Sequence, residues 1–261
     1  MKLKLSYRIQ LEYYFKEQNN IYFSKKIFLS YIFLFLFTVL IFLTSIANMV
    51  GNWHFKFLLS GYIFISYLNF SSTVGSNILF EFKNGYLPYL NSLPISDFQI
   101  SMGKLFVGIT QGLVGFCIYF LFIQIFFLSH TFLTIVPLFS IGIILGICLG
   151  SIITSITLFL AYLFSENNAL FQAFFYLFQT YSIFFSTLFY PIKSFPDFLL
   201  PFVFLNPFTW VLETWRPIFI GFNFNLINFL SSFQLYLALL FLSALIGVFI
   251  SVKSVKGLLN K

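Results

Sequence analysis

Few side chains in this sequence can do chemistry, and nearly all of them sit where long apolar runs end. The 261 residues carry seven acidic and fourteen basic side chains and two histidines. Glu81 and Lys104 bracket one polar stretch, Lys56 and Glu166 mark other run ends, and Glu213 lies three residues before Arg216. A metal or hydrolytic centre needs several His, Cys, Asp or Glu at ligand spacing. His54 and His130 stand alone, while Cys117 and Cys148 fall inside apolar runs, where a thiol behaves as a small packing group. Gly103-Lys104 lacks both the earlier glycine and the following Ser or Thr of a phosphate-binding loop. No catalytic residue, metal or nucleotide site is therefore expected on this chain. Proton- or sodium-driven carriers store their coupling in an ionisable group near the bilayer midplane, and this reading places none there. If the chain moves anything uphill, the energy must come from a partner.

The elements that position these residues follow from composition. The chain is 60% hydrophobic and 8% charged, with mean hydropathy +0.96, against about 25% charged for soluble domains. It reads as an all-α integral membrane protein. About 20 apolar residues cross a bilayer, and six spans are expected near 27–49, 58–80, 105–129, 132–164, 168–190 and 226–251. No charged residue lies between Lys104 and Glu166, so only Ser129-His130-Thr131 separates the third and fourth spans. Residues 1–26 precede the first span. Over 3–24 they mix Leu3, Leu5, Ile9, Leu11, Tyr14 and Phe15 with Lys4, Arg8, Glu12, Lys16 and Glu17, which suits an amphipathic helix in the interface. Six bases before the first span, with Lys83, Lys104, Lys253, Lys256 and Lys261, put eleven on one side against Lys56, Lys193 and Arg216 on the other. Both termini are thus expected in the cytosol, in a plasma or inner membrane, with an organellar membrane as the alternative. The net charge of +7 then faces anionic headgroups, and no nucleic-acid partner is expected.

Residues 81–104 are the polar stretch between the second and third spans. Lys83-Asn84-Gly85 should break a helix, since Asn and Gly tolerate the left-handed conformation. Pro88 suits a helix start and Pro94 a stop, leaving one or two turns whose Tyr86, Tyr89, Leu90 and Leu93 recur at helical spacing. That apolar stripe fits either the grip of another protein or the bilayer surface. Ser96-Asp97-Phe98-Gln99 is a capping box for the next helix, with Ile95 able to staple onto Ile100.

Small residues at four-residue intervals, Gly108 and Gly112, then Gly142, Gly146 and Gly150, mark faces where helices approach closely. Residues 190–225 hold Pro191, Pro196, Pro201, Pro207 and Pro217 among many Phe and Leu. They predict short proline-delimited helices entering the outer leaflet, with an ion pair between Glu213 and Arg216. Trp210 and Trp215 suit the aromatic belt.

Glu81, Gly85, Leu90, Pro94-Ile95-Ser96 and Gly103-Lys104, followed by Phe195-Pro196, Pro201, Asn206-Pro207, Glu213 and Arg216, resemble the membrane subunit of ABC-2 type transporters. That family contains export permeases for drugs, antibiotics and polysaccharides. The resemblance implies one transmembrane domain over 1–261, pairing with a second copy or a related permease and with separate ATPase subunits that bind ATP and Mg. Residues 84–95 would be a cytosolic coupling helix, with Glu81, Gly85, Tyr86, Tyr89, Leu90, Leu93 and Pro94 at the ATPase contact. Residues 190–225 would be external re-entrant helices carrying Pro196, Asn206, Pro207, Glu213 and Arg216. Phe82 departs from the pattern, since many relatives follow the glutamate with a base.

The expected function is outward movement of a drug- or lipid-like substrate by a permease subunit that is not itself an enzyme. Export of a polysaccharide or lipid-linked glycan is the variant within that class. A self-contained carrier or channel and a non-transporting scaffold are the readings outside it.

Overall fold

Long apolar segments can satisfy their backbone only from within, so they coil into helices. In this computed structural model every regular element among the described residues is helical. The structure describes residues 52–92, 96–127, 132–220 and 226–260, together with Phe33 and Phe37. The expected interfacial helix over 3–24 and first span over 27–49 lie outside them.

The chain runs α1 (Asn52–Ser71), α2 (Thr73–Lys83), a short α3 (Tyr86–Ser92), α4 (Asp97–Phe127), α5 (Phe132–Leu163) and α6 (Asn168–Phe184). Two single-turn 3-10 helices, Ile192–Ser194 and Asp197–Leu199, lead into α7 (Leu200–Phe204), α8 (Pro207–Ile220) and α9 (Leu226–Leu259). Among the described residues, four stretches are long and apolar enough to cross a membrane: Phe55–Lys83, Asp97–Ile125, Ile135–Leu163 and Gln234–Leu259. The run expected as a span over 168–190 is helical only to Phe184, a helix of 17 residues. At 1.5 Å per residue that is about 26 Å, at the lower limit of what crosses the roughly 30 Å hydrocarbon core. Its final carbonyls are taken by the Asn206 side chain, described below.

The run expected as one span over 58–80 lies within the single stretch Phe55–Lys83, with a one-residue turn at Ser72 that keeps helical dihedrals (φ −72°, ψ −22°). No proline is involved. Ser and Thr hydroxyls compete for backbone carbonyls: Thr73 Oγ1 donates to Phe70 O at 2.7 Å, and Ser71 Oγ reaches across to Gly108 O at 2.8 Å.

Two apolar cores lie on either side of this turn. The larger gathers α1, α4, α5 and α8 around Tyr67, Phe116, Phe120 and Trp215. Trp215 is wholly buried there, with Phe64 packed edge-on at 5.5 Å, rather than standing in an interfacial belt. The smaller core joins α2, α3, the start of α4, the ends of α5 and α9, and α6.

Glycine makes the larger core possible. A Cβ on Gly112 would run into the Tyr67 ring, and one on Gly146 into the Tyr67 hydroxyl. A Cβ on Gly150 would come within 3.2 Å of the same ring, while Gly108 faces Thr154 and Gly142 faces Phe116. The glycine faces thus receive side chains from neighbouring helices of the same chain.

The Tyr67 hydroxyl is buried without a hydrogen-bond partner. Gly146→Ala should therefore cost about 1–3 kcal/mol through overpacking, whereas Tyr67→Phe should stay within about 1 kcal/mol of the parent. The glycine substitution should remain costly in the Tyr67→Phe background, because ring carbons of residue 67 as well as its hydroxyl stand in the way of the new Cβ. Thermal unfolding of the purified variants in detergent reads all three.

Candidate functional site

At one end of the bundle the short helix α3 hangs between α2 and α4. Asn84 closes α2 by donating its backbone N–H to Phe80 O, and Gly85 turns the chain with φ +73°, a left-handed value that side chains with a Cβ disfavour. Ser96 and Gln99 then exchange hydrogen bonds at the start of α4: Ser96 N donates to Gln99 Oε1 at 3.0 Å and Gln99 N to Ser96 Oγ at 3.4 Å.

Seven residues of helix have room for two stripes. Leu87 and Leu90 turn inward and are buried against Ile100, Phe171, Leu258 and Leu259. Tyr86 and Tyr89 form the neighbouring stripe, with ring centroids 6.2 Å apart; Tyr86 is half-buried and Tyr89 is 57% exposed. The expectation that Leu90 shares an exposed apolar face with the tyrosines is corrected here. Leu90 belongs to the bundle's own core, because the apolar neighbours of α2, α6 and α9 are nearer to it than any outside surface. Leu93 and Pro94 lie outside the described residues, as does Ile95.

Glu81 is also committed within the chain. Lys104 Nζ sits 2.5 Å from both of its carboxylate oxygens, with side-chain exposures of 2% for the lysine and 12% for the glutamate. The two charges, placed at span edges by their surroundings in the sequence, form a nearly dry pair between α2 and α4. A buried pair of this kind recovers its desolvation cost only while both partners remain.

At the opposite end, Asn206 joins two helices. Its Nδ2 lies 3.0–3.2 Å from the carbonyls of Tyr181, Ser182 and Phe185 at the end of α6, and its Oδ1 accepts Phe208 N at 3.0 Å at the start of α8. Tyr181 Oη donates to Phe202 O and Trp210 Nε1 to Phe204 O, tying α7 into the same corner. Pro196 and Pro207 sit at the starts of the second 3-10 turn and of α8.

Arg216 is 4% exposed. It stacks on Phe57 with the guanidinium carbon 3.6 Å from the ring centroid, and donates to Ser60 Oγ at 3.2 Å and to Leu188 O at 2.8 Å. The expected partner, Glu213, comes only to 3.9 Å and is 28% exposed. Burial lowers the guanidinium pKa and the Glu213 carboxylate raises it; guanidinium groups keep their charge at neutral pH.

Sequence reasoning overlooked Lys104 and Ser60 as partners. The clue for Lys104 was available: a lone acid and a lone base at facing ends of consecutive helices. Nothing local in the sequence points to Ser60. Comparison with protein-family models and with curated proteins finds no match.

Arg216→Ala should lower stability by about 1–3 kcal/mol, since it leaves buried acceptors unsatisfied. Glu213→Gln should change it by less than about 1 kcal/mol, as befits a long, partly exposed ion pair. Chemical or thermal unfolding of the two variants checks the asymmetry.

Proposed function

We propose that this chain is the membrane-spanning subunit of an exporter of the ABC-2 type, driven by a separate ATP-hydrolysing subunit and carrying an apolar or amphipathic substrate. The observation that carries the reading is α3 itself: a seven-residue helix at one end of a bundle of long apolar helices, anchored inward by Leu87 and Leu90 and presenting Tyr89 outward. A partner that pushed on Tyr89 would push on a piece fastened to α2, α4 and α9. Supporting it are the motif resemblance around residues 81–104 and 195–216 and the eleven-to-three distribution of bases.

In this reading the chain has six spans, an amino-terminal interfacial helix, cytosolic termini and external re-entrant helices over 190–225. Two permease subunits pair with two ATPases. ATP and Mg bind the partner, and the contact is Tyr89 with Tyr86, on the turn set by Gly85. Leu90 and Glu81 act from behind, by holding the helix in place.

A self-contained carrier is the second reading, and the buried ionic and amide groups between α2 and α4 favour it. The two separate cleanly. Under the first, a stoichiometric ATP-hydrolysing subunit co-purifies with the tagged chain; under the second, the purified chain alone accumulates solute in sealed vesicles. For the first, Tyr89→Ala should leave folding intact and abolish stimulation of the partner's ATPase, whereas Leu90→Ala should cost about 2–5 kcal/mol as a core truncation. Unchanged stimulation with Tyr89→Ala removes α3 as the contact.

A further inference from the structure

The side of α2 that faces α4 carries a line of polar groups that packing of the bundle does not call for. Thr73, Asn77 and Glu81 recur every four residues on α2, and Lys104 and Gln111 recur seven apart on α4; each set forms one stripe. The two stripes meet in opposite directions, as antiparallel neighbours must: Lys104 pairs with Glu81, and Thr73 Oγ1 lies 3.1 Å from Gln111 Oε1. Asn77 falls between these rungs. α2 packs closely along α5 and touches α4 far less, so long side chains bridge the seam.

Inside it, Asn77 Nδ2 and Gln111 Nε2 are shielded from solvent and have no hydrogen-bond partner, and Gln111 is only 8% exposed. Turning the Gln111 amide over does not help. Nε2 could then donate to Thr73 Oγ1, whose proton already goes to Phe70 O at 2.7 Å, but Oε1 would be left alone. Either way one end of a buried amide is unpaired, a cost that an apolar residue of the same size would avoid. Unpaired buried atoms also occur elsewhere in the bundle, at Tyr67, Gln124 and Trp215. Here they line up behind an ion pair that closes the α3 end of the seam, and that alignment fits a state in which water reaches them. The place at which α2 can tilt against α1 is the single-residue turn at Ser72, which keeps helical dihedrals (φ −72°, ψ −22°) and is held from α6 by Gln179 Nε2 donating to its Oγ at 3.3 Å.

We propose that the seam between α2 and α4 is a polar crevice latched by Glu81–Lys104, which opens as α2 swings from Ser72 and admits water and small polar solutes from the α3 end. The crevice requires no partner ATPase, so it stands or falls separately from the coupling reading.

The test uses the full chain in phospholipid vesicles, with Cys117→Ser and Cys148→Ala, and a small cationic, membrane-impermeant methanethiosulfonate as probe. Asn77→Cys and Gln111→Cys should both react from the membrane face that carries Lys83, while Leu79→Cys, in the apolar core on another side of α2, stays silent. Lys104→Gln should speed both reactions roughly tenfold or more, since removing one partner of a buried pair strongly destabilises the latched state. Reversing the pair, Glu81→Lys with Lys104→Glu, should restore the slow rate. Independently, Gln111→Leu should raise Tm by about 2–4 °C. The proposal is overturned if the two cysteines stay silent even with Lys104→Gln while Lys83→Cys reacts. It is equally overturned if Leu79→Cys reacts as fast as they do, or if Gln111→Leu lowers Tm or prevents folding.

Discussion

The bundle depends on how closely the backbones of α4 and α5 can approach α1. In lipid, apolar helices gain nothing by hiding from their surroundings, so association rests on close packing and on polar contacts between helices. Tyr67 shows what that requires here. Its ring occupies the space that side chains at Gly112, Gly146 and Gly150 would fill, so one large residue of α1 is clasped by two helices at once. Phe64, Phe116 and Trp215 build outward from that contact through tilted and edge-on ring pairs at 5.5–6.5 Å, geometries that suit aromatic quadrupoles. The result is an upper core with little freedom to rearrange.

The lower core is built differently. Its members come from the ends of helices and from α3, and its polar contacts cross from one helix to another: Glu81 to Lys104, Thr73 to Gln111, and Gln179 Nε2 to Ser72 Oγ at 3.3 Å. Polar contacts inside an apolar protein are strong when complete and costly when incomplete. Incomplete ones occur in both halves: Asn77 and Gln111 here, and Tyr67, Gln124 and Trp215 in or beside the aromatic half. What sets this half apart is that its polar groups bridge α2 and α4 around a buried ion pair, next to the turn at Ser72.

The sequence carried the helical class, the helix end at Asn84-Gly85, the helix start at Ser96, and the small-residue spacing, because all of these are local or periodic. It also carried the proline-delimited turns before α8, since each proline fixes its own φ and forbids a donor. What it did not carry was direction. Spacing put Tyr86, Tyr89 and Leu90 on one short helix, yet which stripe turns inward depends on α6 and α9, far along the chain. Asn206 stood out as part of the re-entrant motif, and its grip on the end of α6 is a contact across more than twenty positions. Trp215 was legible as an aromatic near an interface, and burial by Phe64 moved it inside. Arg216 was read with its nearest acid in sequence; desolvation favoured a carbonyl, a hydroxyl and a ring face instead.

That preference of Arg216 bears on how the end of the bundle away from α3 is held. A guanidinium paired to an exposed carboxylate would be a surface contact, weakened by salt and indifferent to helix position. A guanidinium stacked on Phe57 and bonded to Ser60 and Leu188 instead ties α8 to α1 and to the chain leaving α6, at the moderate cost of burying a charge that is spread over a planar group. Asn206 ties two of these pieces, the end of α6 and the start of α8, through backbone carbonyls and an N–H. With that corner pinned twice and the aromatic core filled, the α3 end, with its short helix and the polar seam between α2 and α4, is where the packing leaves most room for motion.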